Sequence, residues 1–188
     1  MIRIFQRRWL RFSLRGLLVI IAITAVWLGY VMKSMRDRRE AIRAIDDVGG
    51  TYAYNILGPK WFQKWVKDEK CLYDPIRISL GPGNHGYKDD RPVTDQDLER
   101  MVDHFKAFGR FTILRLTDSK ITDDGMRHVG KMHGITTLSL WGTAVTDGGL
   151  EFLAELTTLE QLEISSDQTT ADGIAKLQKA LPNCKISQ

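Results

Sequence analysis

A block that recurs every 24 residues in the second half of this 188-residue chain constrains its fold more than any other feature. Three stretches align without gaps. They are Leu114-Arg-Leu116 leading to Ile121-Thr-Asp-Asp-Gly-Met126, Leu138-Ser-Leu140 leading to Val145-Thr-Asp-Gly-Gly-Leu150, and Leu162-Glu-Ile164 leading to Thr169-Thr-Ala-Asp-Gly-Ile174. A fixed period of this size specifies stacked supersecondary units rather than one closed globule. Within a unit, Leu138 and Leu140 alternate with Thr137, Ser139 and Trp141, so the leucines take one side of a strand and the others the opposite side. Val145 returns the chain to the core, and Thr146 or Asp147 offers an oxygen to the free N–H groups of the next helix. Leu150, Leu153 and Leu156 give that helix an inward stripe, as do Met126 and Val129 before it and Ile174, Leu177 and Leu181 after it. No unit can bury its apolar side alone, so the expectation is a parallel sheet with helices behind it.

The same pattern starts earlier, less regularly. Ile76-Arg-Ile78-Ser-Leu80 alternates like a repeat strand, with all three apolar residues expected inward. Its continuation, Val93-Thr-Asp-Gln-Asp-Leu98, arrives only after residues 81–92, a glycine- and proline-rich stretch that reads as an inserted loop. Ahead of it, residues 33–48 read as a helix with Ile42, Ile45 and Val48 on one stripe, stopped by Gly49-Gly50. Thr51 to Ile56 is aromatic and β-branched, as strands are. Pro59 then opens a short helix, Lys60 to Lys67, whose Trp61, Phe62, Trp65 and Val66 form one broad apolar face. The end of a repeat stack cannot stay apolar in water, so that face is expected to be a cap rather than a membrane-surface contact.

Residues 16–32 carry no charge. As a helix they would span about 25 Å, at the short end for a hydrocarbon core of about 30 Å. Arg15 and Lys33 can extend the reach by snorkelling, and Trp9, Trp27 and Tyr30 fit interfacial anchors. The apolar run is longer than a signal-peptide core and no small-x-small cleavage site follows Trp27, which favours an uncleaved signal anchor. Five Lys/Arg flank each side, so orientation rests on the short tail preceding a downstream domain. The expectation is a cytoplasmic N-terminus with the repeats outside the cytoplasm.

The net charge of +4 conceals a strong asymmetry. Residues 1–43 hold ten Lys/Arg against Asp37 and Glu40, a balance of +8, which leaves 44–188 at −4. A nucleic-acid interface needs basic charge on the folded part, so the composition argues against one. Cys71 precedes the repeats and Cys184 follows them, so ordered stacking would hold them too far apart for a disulfide. No Cys/His spacing suggests a metal site.

Leu-x-Leu followed by a Val/Ile-Thr-Asp-x-Gly-Leu helix start resembles the leucine-rich repeat, with Ser119, Thr143 or Gln168 at the usual asparagine or cysteine turn position. The chain as a whole resembles short membrane-anchored repeat proteins of planctomycete bacteria, with a similar Arg-Phe-Ser-Leu-Arg start (Arg11 to Arg15) and a Leu-Pro-Asn-Cys-Lys-Ile end (Leu181 to Ile186). The last unit departs from the pattern, with Ala171 in place of the Asp147 equivalent. The resemblance implies an α/β fold. Its expected form is a short leucine-rich-repeat solenoid of about four repeats, with parallel strands and helices on the convex side. A transmembrane helix and a small capping segment precede it. The expected organisation is a basic tail (1–15), the membrane helix (16–32), a juxtamembrane helix and cap (33–74) and the repeats (75–188). The resemblance further implies protein binding as the generic role, with no catalytic residues and no cofactor.

On that reading Arg77 and Ser79, Arg115 and Thr117, Ser139 and Trp141, and Glu163 and Ser165 line the concave face of a four-strand sheet, about 15 Å across. The candidate partner-binding residues are Arg77, Arg115, Thr117, Ser139, Trp141 and Glu163, with Tyr87 from the inserted loop. Trp141 beside Arg115 has hot-spot chemistry, unless it packs under that loop. His85, Asp89 and Asp90 in the loop have acid–base residue types but no rigid partner set, so a partner-contact loop is expected there. His104, His128 and His133 show no nucleophile–base spacing, and Asp123-Asp124 sits where helix caps belong. The expected function is protein or peptide binding by a bilayer-anchored module, not catalysis. The alternative is a structural or assembly element of the cell envelope with no discrete ligand.

Overall fold

The computed structural model describes residues 14–57, 59–64, 70, 73–82, 91–108, 112–165 and 167–188. It divides into two compact units between Ser34 and Met35. The first unit is the N-terminal part of helix α1 (Leu14–Asp47), which contains an 18-residue window of mean hydropathy 2.0 with no part of it buried. Such a helix is long and apolar enough to cross a membrane, and its side chains from Leu17 to Met32 are apolar on every face.

The second unit is a mixed α/β layer structure. Its elements are the remainder of α1, β1 (Thr51–Ile56), α2 (Lys60–Gln63), β2 (Tyr73–Ser79), α3 (Asp95–Phe105), β3 (Ile113–Arg115), α4 (Asp123–Val129), β4 (Thr137–Leu140), α5 (Asp147–Leu153), β5 (Gln161–Ile164), α6 (Ala171–Ala180) and β6 (Lys185–Ser187). The strands form one sheet in sequence order, antiparallel between β1 and β2 and parallel from β2 to β6. Leu114, Leu138 and Leu162 share one register row, and Leu140 pairs with Ile164 in the next. Leu116 continues that second row, its N–H donating to the Ser139 carbonyl at 2.9 Å. All are at most 2 % exposed and pack with Met126, Val129, Leu150, Leu153 and Leu177 from the helices. The alternation of the chain thus becomes one continuous core between sheet and helices.

Two expectations about the first end change. The sequence places Ile76 inward with Ile78 and Leu80, yet Ile76 is 39 % exposed while the other two are fully buried. A β-bulge is the cause: Ala53 pairs with Arg77 and Tyr54 with Pro75, so β1 skips Ile76. Its carbonyl receives the Thr112 N–H instead, which places it in the polar strand-entry row with Thr112 and Thr136. Helix α1, which the sequence reading took only as a juxtamembrane helix, also closes this end. Ala41, Ile42 and Ile45 of α1 are fully buried in the same core as Leu80. Gly49 (φ +74) ends this helix, and the Gly50 N–H donates back to the Ile45 carbonyl at 2.9 Å, a Schellman closure. A Cβ on Gly50 would meet Leu80 Cδ2 at 2.6 Å, so the turn fits tightly under the first repeat. The side chains of Trp61, Phe62, Trp65 and Val66 lie outside the described residues. At the other end β6 adds a fifth parallel strand that the sequence reading left unassigned. Beside it the Cys184 thiol is free and buried, and desolvation pushes its pKa up. Cys71 lies outside the described residues.

The units are stitched by a ladder of aspartates. Asp95 accepts from the Thr122 N–H (2.9 Å) and hydroxyl (2.7 Å), Asp123 from those of Thr146 (2.7 and 2.6 Å), and Asp147 from those of Thr170 (2.8 and 2.6 Å). Each threonine caps its own helix, accepting from Asp124, Gly148 and Gly173 N–H groups respectively. The oxygen that caps each helix therefore comes from the threonine, and the aspartate after it reaches forward to the next unit. Asp123 is spent in this way, and its neighbour Asp124 pairs with Arg127 at 3.3 Å. The ladder breaks in the last unit, where Ala171 stands in the place of Asp147 and carries no carboxylate. At the start Asp97 stands where later units have Gly125, Gly149 and Gly173, and it accepts from its own Thr94 N–H (3.0 Å) and hydroxyl (2.9 Å).

These bonds make stability acid-sensitive. Hydrogen bonds from the Thr170 hydroxyl and N–H hold the Asp147 carboxyl below its ordinary 3.8. Burial alone would raise Asp97, but hydrogen bonds from Thr94 and Arg91 outweigh it and leave that group lowered too. A depressed folded pKa means stabilisation present above the unfolded value and lost as pH falls through the folded one. Thermal midpoints of the full chain in micelles, read by circular dichroism, are expected to be flat above about pH 5 and to fall below about pH 4. Asp147→Ala makes that fall shallower; an unchanged slope would remove the ladder from the account.

Candidate binding face

The leucine rows fix which side chains remain on the opposite face of the sheet. Ser79, Arg115, Ser139, Glu163 and Ser187 form one row across five strands, and Arg77, Ile113, Thr137, Gln161 and Lys185 form the row before it. The first repeat is therefore displaced from the sequence expectation: Arg77 lines up with Ile113 and Thr137, not with Arg115 and Ser139. The reason is that Ile78 and Leu80, not Ile76 and Ile78, are the equivalents of Leu114 and Leu116. With β1 and β6 included, the face is six strands wide, about 24 Å rather than 15 Å.

Ser139 was expected to project as a contact residue, but it is only 3 % exposed. A short side chain between the long Arg115 and Glu163 of the flanking strands sits below their tips. Arg115 is exposed and Glu163 half-buried, and among the described residues no ion pair joins them. The three make a notch: a basic wall, a small polar floor and an acidic wall about 10 Å away. Trp141, two residues beyond Ser139 on the same face, is 47 % exposed.

The turn after the strand sets the place of Trp141. Asp118 and Gly142 hold equivalent positions and both take positive φ, +52 and +66. A Cβ on Gly142 would collide with the Asp118 carboxylate, so only glycine lets the two turns nest. The Asp118 N–H donates to the Trp141 carbonyl at 2.8 Å, while the Thr143 hydroxyl donates to Leu140 at 2.8 Å. Ser119 makes the same bond to Leu116 at 2.8 Å, which bears out its turn position. Gln168 does not share it: it is exposed, and Asp167 is the residue in step with Thr143. These bonds fix the backbone of the turn that carries Trp141, in the unit next to the half-buried Thr117.

The loop residues Tyr87, His85, Asp89 and Asp90 lie outside the described residues. Arg91 pairs with Asp97 at 3.1 Å, which ties the end of that loop to the first helix. His104 and His128 are half-buried on α3 and α4, and His133 is exposed in the loop after α4. Among the described residues no group of three or more His, Cys, Asp or Glu is placed to hold a metal ion.

No family model matches the sequence. Among solved structures the chain is similar to leiomodin-1 actin-binding site 2, at 15% identity over 58% of this chain and 65% of that one, with a TM-score of 0.45.

Proposed function

We propose that this chain is a membrane-anchored leucine-rich repeat protein that binds a protein or peptide across the open sheet face, with Trp141 as its anchor. The observation that carries the reading is the 47 % exposure of that tryptophan beside a notch with one basic and one acidic wall. A large exposed aromatic on the sheet side that carries Arg115 has the side-chain chemistry of binding hot spots. The face is about 24 Å by 12 Å, well below the roughly 800 Å² per partner of a standard protein interface. It suits an extended segment or one side of a helix, carrying an acidic group for Arg115 and a basic one for Glu163. Residues 16–32 are the anchor, the N-terminus is cytoplasmic and the repeats are outside. Protease protection on intact cells checks the sidedness.

Site-specific photo-crosslinking tests the face. A photoreactive residue at position 141 is expected to capture a partner, whereas one at Glu151, exposed on the helix side, is not. Arg115→Glu abolishes the adduct, and Trp141→Ala weakens binding by about 2 kcal/mol, roughly thirtyfold. Equal adducts from positions 141 and 151 would end the proposal. An adduct with a second copy of the chain alone would replace it with the assembly reading.

A further inference from the structure

A second site lies on the helix side. Helix α3 has 11 residues and α4 has 7, so α3 runs about one turn longer and a groove opens between that extra turn and the loop after α4. It has a volume of about 330 Å³ and is lined by Val102, Phe105, Lys106, Phe108, Lys131, Met132 and His133. Its floor is apolar: Phe105, Phe108 and Met132 are 3 to 5 % exposed, and the two rings stand 6.3 Å apart. Its rim is basic. Lys106 in this lining is neutralised by Asp103 at 2.7 Å, which leaves Lys131 and His133 as its other basic residues. Asp103 is near enough to feel Lys131, yet no described lining residue is acidic. The groove between α5 and α6 differs, since Asp147 and Glu151 outnumber Lys176 in its lining and give it an acidic balance that disfavours an anion.

We propose that the α3–α4 groove is a small-molecule site for an amphiphilic carboxylate. A ring or short alkyl group seats on Phe105, Phe108 and Met132, and the carboxylate meets Lys131 and His133. An apolar floor with a one-signed polar rim selects this class over neutral apolar molecules and over cations. The volume, at the low end of the roughly 300–1,000 Å³ of small-ligand pockets, fits a small molecule and not a macromolecular segment. This site is separate from the Trp141 face and stands without it.

The test uses the full chain in lipid nanodiscs with methyl-labelled methionine, titrated with 3-phenylpropionate and followed by NMR. Met132 reports on the groove, and fully buried Met126 is the internal control. A saturable shift of Met132 without one of Met126 is expected. Binding of 3-phenylpropanamide, or of the acid to Lys131→Gln, is expected to be weaker by about fivefold, the scale of one exposed charge contact. A Met132 resonance that does not move, an amide that binds as well as the acid, or a Lys131→Gln variant with unchanged affinity would each overturn the proposal.

Discussion

Leu140→Ala is expected to destabilise the repeats by about 3 kcal/mol, while Trp141→Ala, one residue on, costs no more than about 1 kcal/mol. Leu140 ends strand β4 with its side chain inward, and Trp141 opens the turn that follows. Leu140 is 1 % exposed, paired with Ile164 on the neighbouring strand and packed into the common core. Truncating it removes transfer free energy and leaves a cavity bounded by two units, which neighbours on a hydrogen-bonded sheet cannot close. Trp141 at 47 % exposure keeps about half of its surface in water and is not part of the buried core, so its truncation leaves no closed cavity and loses less. Denaturant unfolding of the full chain in micelles, with the helix signal of the repeats as readout, measures both. Comparable losses at the two positions would mean that the indole is part of the core, and the binding face would lose its anchor.

Gly173→Ala carries the second large effect, and its sign depends on a residue in another unit. In an isolated helix, replacing glycine with alanine stabilises by about 1 kcal/mol. Here the new Cβ would fall within the carboxylate of Asp147, whose atoms are its three nearest neighbours. The carboxylate must then leave the Thr170 N–H and hydroxyl that it accepts from at 2.8 and 2.6 Å. The substitution is expected to destabilise by about 2 kcal/mol, the usual scale of overpacking. In an Asp147→Ala background the obstacle is gone, and the same change becomes neutral or stabilising by up to about 1 kcal/mol. A double-mutant cycle on thermal midpoints reads the reversal directly. Additive effects would show that the carboxylate and the glycine do not share one space.

The ladder shows where reading the chain succeeds and where it stops. Thr-Asp, or Thr-Ala in the last unit, before each helix marked a cap, and Thr122, Thr146 and Thr170 are the caps. Nothing local distinguished the aspartate that caps from the one that reaches 23 residues forward to the next threonine. The recurring glycine three residues after each threonine looked like part of a motif. Its cause, the approach of a carboxylate from the preceding unit, lies outside its own unit. At the candidate face, the sequence placed Trp141 outward by alternation, but the buried floor at Ser139 and the shift of Arg77 to another row depended on neighbouring strands.

The sequence by itself determined the repeat strands and helices, the inward leucines and an apolar N-terminal helix. Each of these follows from a periodicity or a run within a few residues along the chain. Tertiary structure alone decided the register of the first strand, where a bulge drops Ile76 from the core, and the joining of β1 and β6 to the sheet. It also decided the bonds between Asp95 and Thr122, Asp123 and Thr146, and Asp147 and Thr170. These depend on distances between units, and such distances exist only once the cores have packed.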